Sequence, residues 1–204
     1  MSIIIFIKIL IVCLLGAVSP GPSMVVVMNN ALFKNRFHGI LTSLGHGFGI
    51  GMYALFAVLG IALIIKTNLF VFNGIKFISI IFLIYLGVKS IISKSKLDFG
   101  KYNLNDGITS FSQGVSISLL NPKIFIWFIA IYSQFMSVDN DLFFNTVLVL
   151  TAAIIDALWY ITLTLLVTSK IALDFIKNKN GLLQKFVGII FIAIGFLLLI
   201  EMLV

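Results

Sequence analysis

Ser19-Pro20-Gly21-Pro22-Ser23 lies inside the first apolar run of the chain, where a helix would otherwise continue without interruption. About a hundred residues later, Leu120-Asn121-Pro122-Lys123 interrupts the fourth such run. Proline has no backbone N–H and its ring clashes with the preceding turn, so each stretch is expected to break or unwind its helix. Inside lipid the freed backbone groups need partners from protein, ordered water or a bound ligand. Paired breaks at corresponding places in two halves of a chain are the best sequence pointer to the binding site of a transporter.

Composition puts both breaks in a bilayer. Of 204 residues, 61% are hydrophobic and 10% charged, and the mean hydropathy is +1.20. Soluble domains carry roughly 25% charged residues. Runs of about 20 apolar residues recur six times, each long enough to span a membrane as a helix. The expected fold is therefore an all-α integral membrane protein of six transmembrane helices, forming one domain over 1–204. The spans fall at about 3–30, 39–65, 74–92, 108–136, 142–168 and 182–204, with helices 1 and 4 broken. Three helices precede the long polar connector 93–107 and three follow it, so the halves enter from opposite faces. A 3+3 inverted repeat is expected, with repeat 1 over about 1–92 and repeat 2 over about 108–204.

Charge sets the orientation. Ten lysines and arginines flank the connectors after helices 1, 3 and 5: Lys34, Arg36, Lys89, Lys94, Lys96, Lys101, Lys170, Lys177, Lys179 and Lys185. Three, Lys8, Lys66 and Lys76, lie on the other side. By the positive-inside rule those connectors are cytoplasmic and both termini are outside, in a multi-pass protein of the cytoplasmic (inner) membrane. The net charge of +7 is thus explained by helix ends rather than by a nucleic-acid patch. Ala17-Val18-Ser19 looks like a signal-cleavage site. The segment before it lacks a basic n-region, and Pro20 would follow the cut, so it is expected to stay as helix 1.

Few residues can carry chemistry. Lys123 sits near the middle of helix 4, in the first turn after Pro122, where orphan N–H groups and the positive dipole end attract anions. An ammonium at that depth is costly and is by default a functional hypothesis. A substrate carboxylate would compensate it; a structural ion pair with Asp156 is the alternative. Asp156 is the carboxylate deep inside a span, with Tyr160 and Thr164 following on one helix face, as Trp127 and Gln134 follow Lys123. It could bind a substrate ammonium, shuttle a proton, or simply complete an interhelical pair. His46 titrates near neutrality and is a second proton-coupling candidate, or a packed and hydrogen-bonded residue. Gly45, Gly47, Gly49 and Gly51 form overlapping small-xxx-small patterns, expected to pack helix 2 between neighbours of its own chain, with homodimer formation as the alternative. Cys13, the sole cysteine, is expected to be a small buried hydrophobe. No phosphate-cradling loop, HExxH, GxSxG or histidine cluster occurs, so neither an enzyme nor a metal or cofactor site is expected.

The order of these features resembles the LysE/RhtB family of amino-acid exporters. Ser19-Pro20-Gly21-Pro22 is similar to the family's helix 1 motif, and Leu44-Gly45 with Gly49, Leu59 and Gly60 resembles its second helix. Leu83-Ile84-Tyr85-Leu86-Gly87 resembles the end of its third. Leu119-Leu120-Asn121-Pro122-Lys123 with Gln134-Phe135 resembles its NPK…PQF segment, and Gly188 and Gly195 match glycines of the last helix. Ser133 stands where the family usually has proline, Ser79 where it often has glycine, and Phe82 where tyrosine is usual. The resemblance implies gradient-driven export of amino acids or similar small zwitterions. The reading of the residues agrees on the site: the substrate is expected at Pro20, Gly21, Pro22, Ser23, Asn121, Pro122, Lys123 and Asp156, with protons, through Asp156 or His46, or another ion as the coupling ion. Export of another solute or cation, and a non-transporting accessory role, are the alternatives.

Overall fold

A computed structural model describes residues 3–92, 110–137 and 141–203. The connector 93–107 and the middle of the expected turn at 137–141 lie outside the described residues. The described residues are almost all helical, and no strand occurs among them. The elements are α1 (Ile3–Val18), α2 (Pro22–Asn29), a π-helical turn (Asn30–Lys34), α3 (Arg36–Thr67), α4 (Leu69–Ile92), α5 (Ser110–Leu119), α6 (Pro122–Phe135), α7 (Leu142–Val167) and α8 (Lys170–Leu203).

Among the described residues, four segments are long and apolar enough to cross a membrane: the Arg36–Ile61 part of α3, α4, α7 and the Gly181–Ile200 part of α8. The two remaining pairs are bent, by 68° between α1 and Pro22–Lys34 and by 61° between α5 and Lys123–Phe135. Counted as one broken crossing each, they bring the total to six. Both breaks fall where the prolines put them. Two helices start earlier than their hydropathy implied. Asn68 closes α3 by donating its N–H to the Ile64 carbonyl at 2.8 Å, and its side chain accepts the Val71 N–H at 3.0 Å, capping α4. One residue thus replaces the expected connector 66–73. α8 runs from Lys170 because the expected connector 169–181 holds no proline, and no glycine before Gly181.

α3 is the central strut, packed on α5 along one face and on α7 along another. Its glycines allow both contacts. A Cβ on Gly45 would stand 2.0 Å from the Phe111 carbonyl oxygen of α5, and one on Gly47 would stand 2.7 Å from the Ala157 Cβ of α7. The small-residue faces are therefore filled within one chain. Its remaining face shows exposed Leu44, Phe48, Leu55 and Leu59, as suits contact with lipid. α4 pairs with α8 through the Gly87–Gly188 contact and also packs on α6, while α1 packs on α7. The buried side chains form two apolar clusters. The larger joins α1, α3, α6 and α7 through Cys13, Ile50, Phe128, Tyr132, Leu148 and Ala152; the smaller joins Met24, Val27 and Met28 to Tyr160 and Leu163.

Candidate functional site

The prolines do more than break helices: each starts the next one. Gly21 adopts extended backbone (φ −175°, ψ −171°) as the N-cap of α2, with Pro22 in its first turn and no side-chain cap. Asn121 (φ −85°, ψ 105°) is the N-cap of α6, its side chain accepting the Lys123 N–H at 3.1 Å, with Pro122 in the first turn. Proline is favoured there because its missing N–H would have no helical partner anyway. The chain therefore builds two half-helices whose positive ends begin at the breaks.

The two breaks meet. Lys123 Nζ donates to Ser19 Oγ at 2.5 Å and to the Pro20 carbonyl at 3.5 Å, and Asn121 Nδ2 donates to Ser23 Oγ at 3.4 Å. The backbone acceptor left over by the first break is thus taken by the lysine of the second. Beside them, His46 Nδ1 lies 2.6 Å from Asp156 Oδ2. Tyr160 stands edge-on to His46, with ring centroids 4.7 Å apart. His46 Nε2 and Trp127 Nε1 are buried without a protein partner.

All of these residues except Pro20 line one cavity of about 50 Å³ between the two apolar clusters. That volume holds a few water molecules. An amino acid enters only if the walls separate. His46 is 2% and Asp156 5% exposed, so protons reach the pair only by way of the cavity or a local opening.

Of the residues singled out in the sequence, Gly21, Ser23, His46, Asn121, Lys123 and Asp156 are brought together on the cavity wall. Pro20 contributes its carbonyl to Lys123, while Pro22 and Pro122 begin α2 and α6. The alternative pairing of Lys123 with Asp156 is not formed, since Asp156 bonds His46 instead. Cys13 is buried and also lines the cavity. The two polar stripes reach the site only in part. Trp127 and Tyr160 face it, but Gln134 donates to the Lys76 carbonyl and Thr164 packs against Ser43. Ser19 and Gly16 were not singled out as site residues. Ser19 is part of the first break, whereas nothing in the sequence pairs Gly16 with Trp127.

A second polar layer lies where α2, α3, α5 and α7 converge. Asn30 Nδ2 donates to Thr42 Oγ1 at 2.9 Å and to Gln113 Oε1 at 2.8 Å. Towards the surface, His38 Nδ1 bonds Ser110 Oγ and Arg36 Nε donates to Thr168 Oγ1, each at 2.8 Å.

The sequence model of the LysE type translocator matches residues 14–202. The chain belongs to that family. Among curated proteins it is similar to membrane protein YrhP of Bacillus subtilis (strain 168), 29% identical over 86% of this chain and 89% of that protein. It is also 27% identical to the leucine efflux proteins of Salmonella choleraesuis (strain SC-B67) and Salmonella typhi, over 58% of this chain and 57% of each of those proteins. No solved structure matches the chain. Membership makes it a multi-pass membrane translocator, with amino-acid export the activity supported at family level.

Proposed function

We propose that this translocator exports amino acids or similar small zwitterions across the cytoplasmic membrane by antiport with protons, through alternating access about the cavity. The observation that carries the reading is the meeting of both helix breaks at Lys123, within one cavity that also holds the His46–Asp156 pair. In this reading the substrate carboxylate replaces Ser19 as the partner of Lys123 and lies against the open ends of α2 and α6. Its ammonium takes the free side of Asp156. A proton arriving from outside neutralises Asp156 or charges His46, removes the net attraction for the ammonium, and releases the cargo. Loss of that proton to the cytoplasm restores the site.

Two features support alternating access. In this reading the hydrogen-bonded layer from Asn30 to Arg36 closes the end of the site towards the basic connectors, which the positive-inside rule assigns to the cytoplasm. α1 packs on α7 as α5 packs on α3, the reciprocal arrangement expected of an inverted repeat. Uptake into inside-out vesicles carrying Lys123→Ala and Asp156→Asn tests the site. If both variants transport amino acids at the wild-type rate, the assignment is wrong.

A further inference from the structure

We propose that the cavity is a polarised seat for amino acids with uncharged, chiefly aliphatic side chains, and that the Gly16–Trp127 contact limits their size. This rests on the amino-acid reading above and narrows it to a substrate class.

Each wall helix carries a polar residue with an apolar or small one a turn away on the same face. On α3 these are His46 and Ile50, and on α7 Asp156 and Ala152. On α6 they are Lys123 and Trp127, while Gly16, near the end of α1, lies about a turn before Ser19 of the first break. Ile50, Ala152 and Trp127 all belong to the larger apolar cluster, so the apolar members share one end of the cavity. The polar members are joined through the Lys123–Ser19, Asn121–Ser23 and His46–Asp156 bonds at the other end. A zwitterion seated here has its head at the helix breaks and its side chain among Ile50, Ile124, Phe128 and Ala152.

Charge then selects. Lys123, Asp156 and His46 are the charge-bearing groups among the described lining residues. One cation and one anion answer the α-carboxylate and α-ammonium, and His46 is already bonded to the anion. A second charge, on a lysine, arginine, aspartate or glutamate side chain, would be buried against largely apolar walls with no opposite charge to meet it, since the unpartnered His46 Nε2 and Trp127 Nε1 offer single hydrogen-bonding groups and not a counter-ion. The unpartnered Trp127 Nε1 offers one donor, enough for a water or a carboxylate oxygen. Size is set where α1 meets α6. A Cβ on Gly16 would stand 2.7 Å from Trp127 Cζ2, so the indole lies back against α1 only because that residue is glycine. Gly16→Ala pushes the ring towards the cavity and shortens the side-chain seat.

The test is counterflow in proteoliposomes of the purified protein, each radiolabelled amino acid exchanged against an internal excess of itself. Aliphatic amino acids are expected to exchange at least about tenfold faster than lysine, arginine, aspartate and glutamate. Gly16→Ala should slow leucine about fivefold more than it slows alanine. Ile124→Ala, which widens the seat, should raise phenylalanine relative to leucine, and it carries the size test if Gly16→Ala does not fold. Lysine or glutamate exchanging as fast as leucine overturns the charge selection while leaving amino-acid transport intact. Gly16→Ala slowing alanine and leucine equally, or, where that variant does not fold, Ile124→Ala leaving the phenylalanine-to-leucine ratio unchanged, overturns the size limit. Exchange of no amino acid at all by the wild type overturns the underlying reading as well.

Discussion

Replacing Lys123 by methionine keeps the length and apolar stem of the side chain and removes only its ammonium. In the present arrangement that ammonium holds Ser19 Oγ and the Pro20 carbonyl. Losing the donor leaves two acceptors unsatisfied, at about 1–3 kcal/mol for each that stays buried. Relief from burying a charge in the bilayer, about 2.5–3.5 kcal/mol on insertion scales, opposes that cost. The fold should therefore change little in stability, and the effect should appear in binding. A hydrogen bond to a charged group contributes about 1.5–3 kcal/mol, which corresponds to about 10- to 150-fold in affinity. The assay compares half-saturation of counterflow for the best-exchanged amino acid with inhibition by its decarboxylated amine. The wild type should prefer the amino acid strongly, and Lys123→Met should bind both alike by losing affinity for the amino acid alone. Affinity for the amino acid within about twofold of wild type refutes carboxylate recognition by Lys123. Equal weakening of acid and amine would mean the lysine only ties the two breaks together.

Asp156→Asn should leave exchange measurable but abolish accumulation driven by a pH gradient, because the amide cannot take up the proton; retained accumulation in proteoliposomes would move coupling elsewhere. Gly45→Ala forces a Cβ against the backbone carbonyl of Phe111, which cannot swing aside, so unfolding in detergent should shift down by about 1–3 kcal/mol or more. Gly74→Ala meets open space and should stay within about 0.5 kcal/mol. Asn68→Ala removes the cap of α4 and should cost about 1 kcal/mol, read as a lower midpoint of thermal unfolding. Asn30→Ala removes two bonds of the polar layer, one buried and one half-buried, and should raise labelling of a cysteine introduced at Ser23 by a membrane-impermeant thiol reagent applied from the cytoplasmic side; unchanged labelling would deny that layer a gating role.

Much of this architecture was legible in the chain. Lipid makes hydropathy a strong signal, so the helices were readable, and proline acts locally, so the positions of both bends were too. What Lys123 and Asp156 bond to was not. Both are ionisable groups inside apolar runs, and a sequence supplies no distance between helices. The opposite charges invited a direct pair, yet the fold gives Asp156 to His46 and Lys123 to Ser19. The polar stripes run on past the cavity because helical spacing continues a face along the whole helix, so Gln134 and Thr164 meet Lys76 and Ser43 instead. The early starts of α4 and α8 were hidden because polar residues in the flanks read as connectors, although Asn68 alone suffices to turn the chain. The closeness of Gly16 to Trp127 depends on how α1 and α6 cross, which no local pattern encodes.

The most direct test of the central claim is amino-acid release from cells preloaded with dipeptides, compared with and without expression of the chain. Accelerated release of one or a few amino acids, abolished by an uncoupler, is the predicted result. Release unchanged for every amino acid, with the protein shown to be inserted in the membrane, would contradict it.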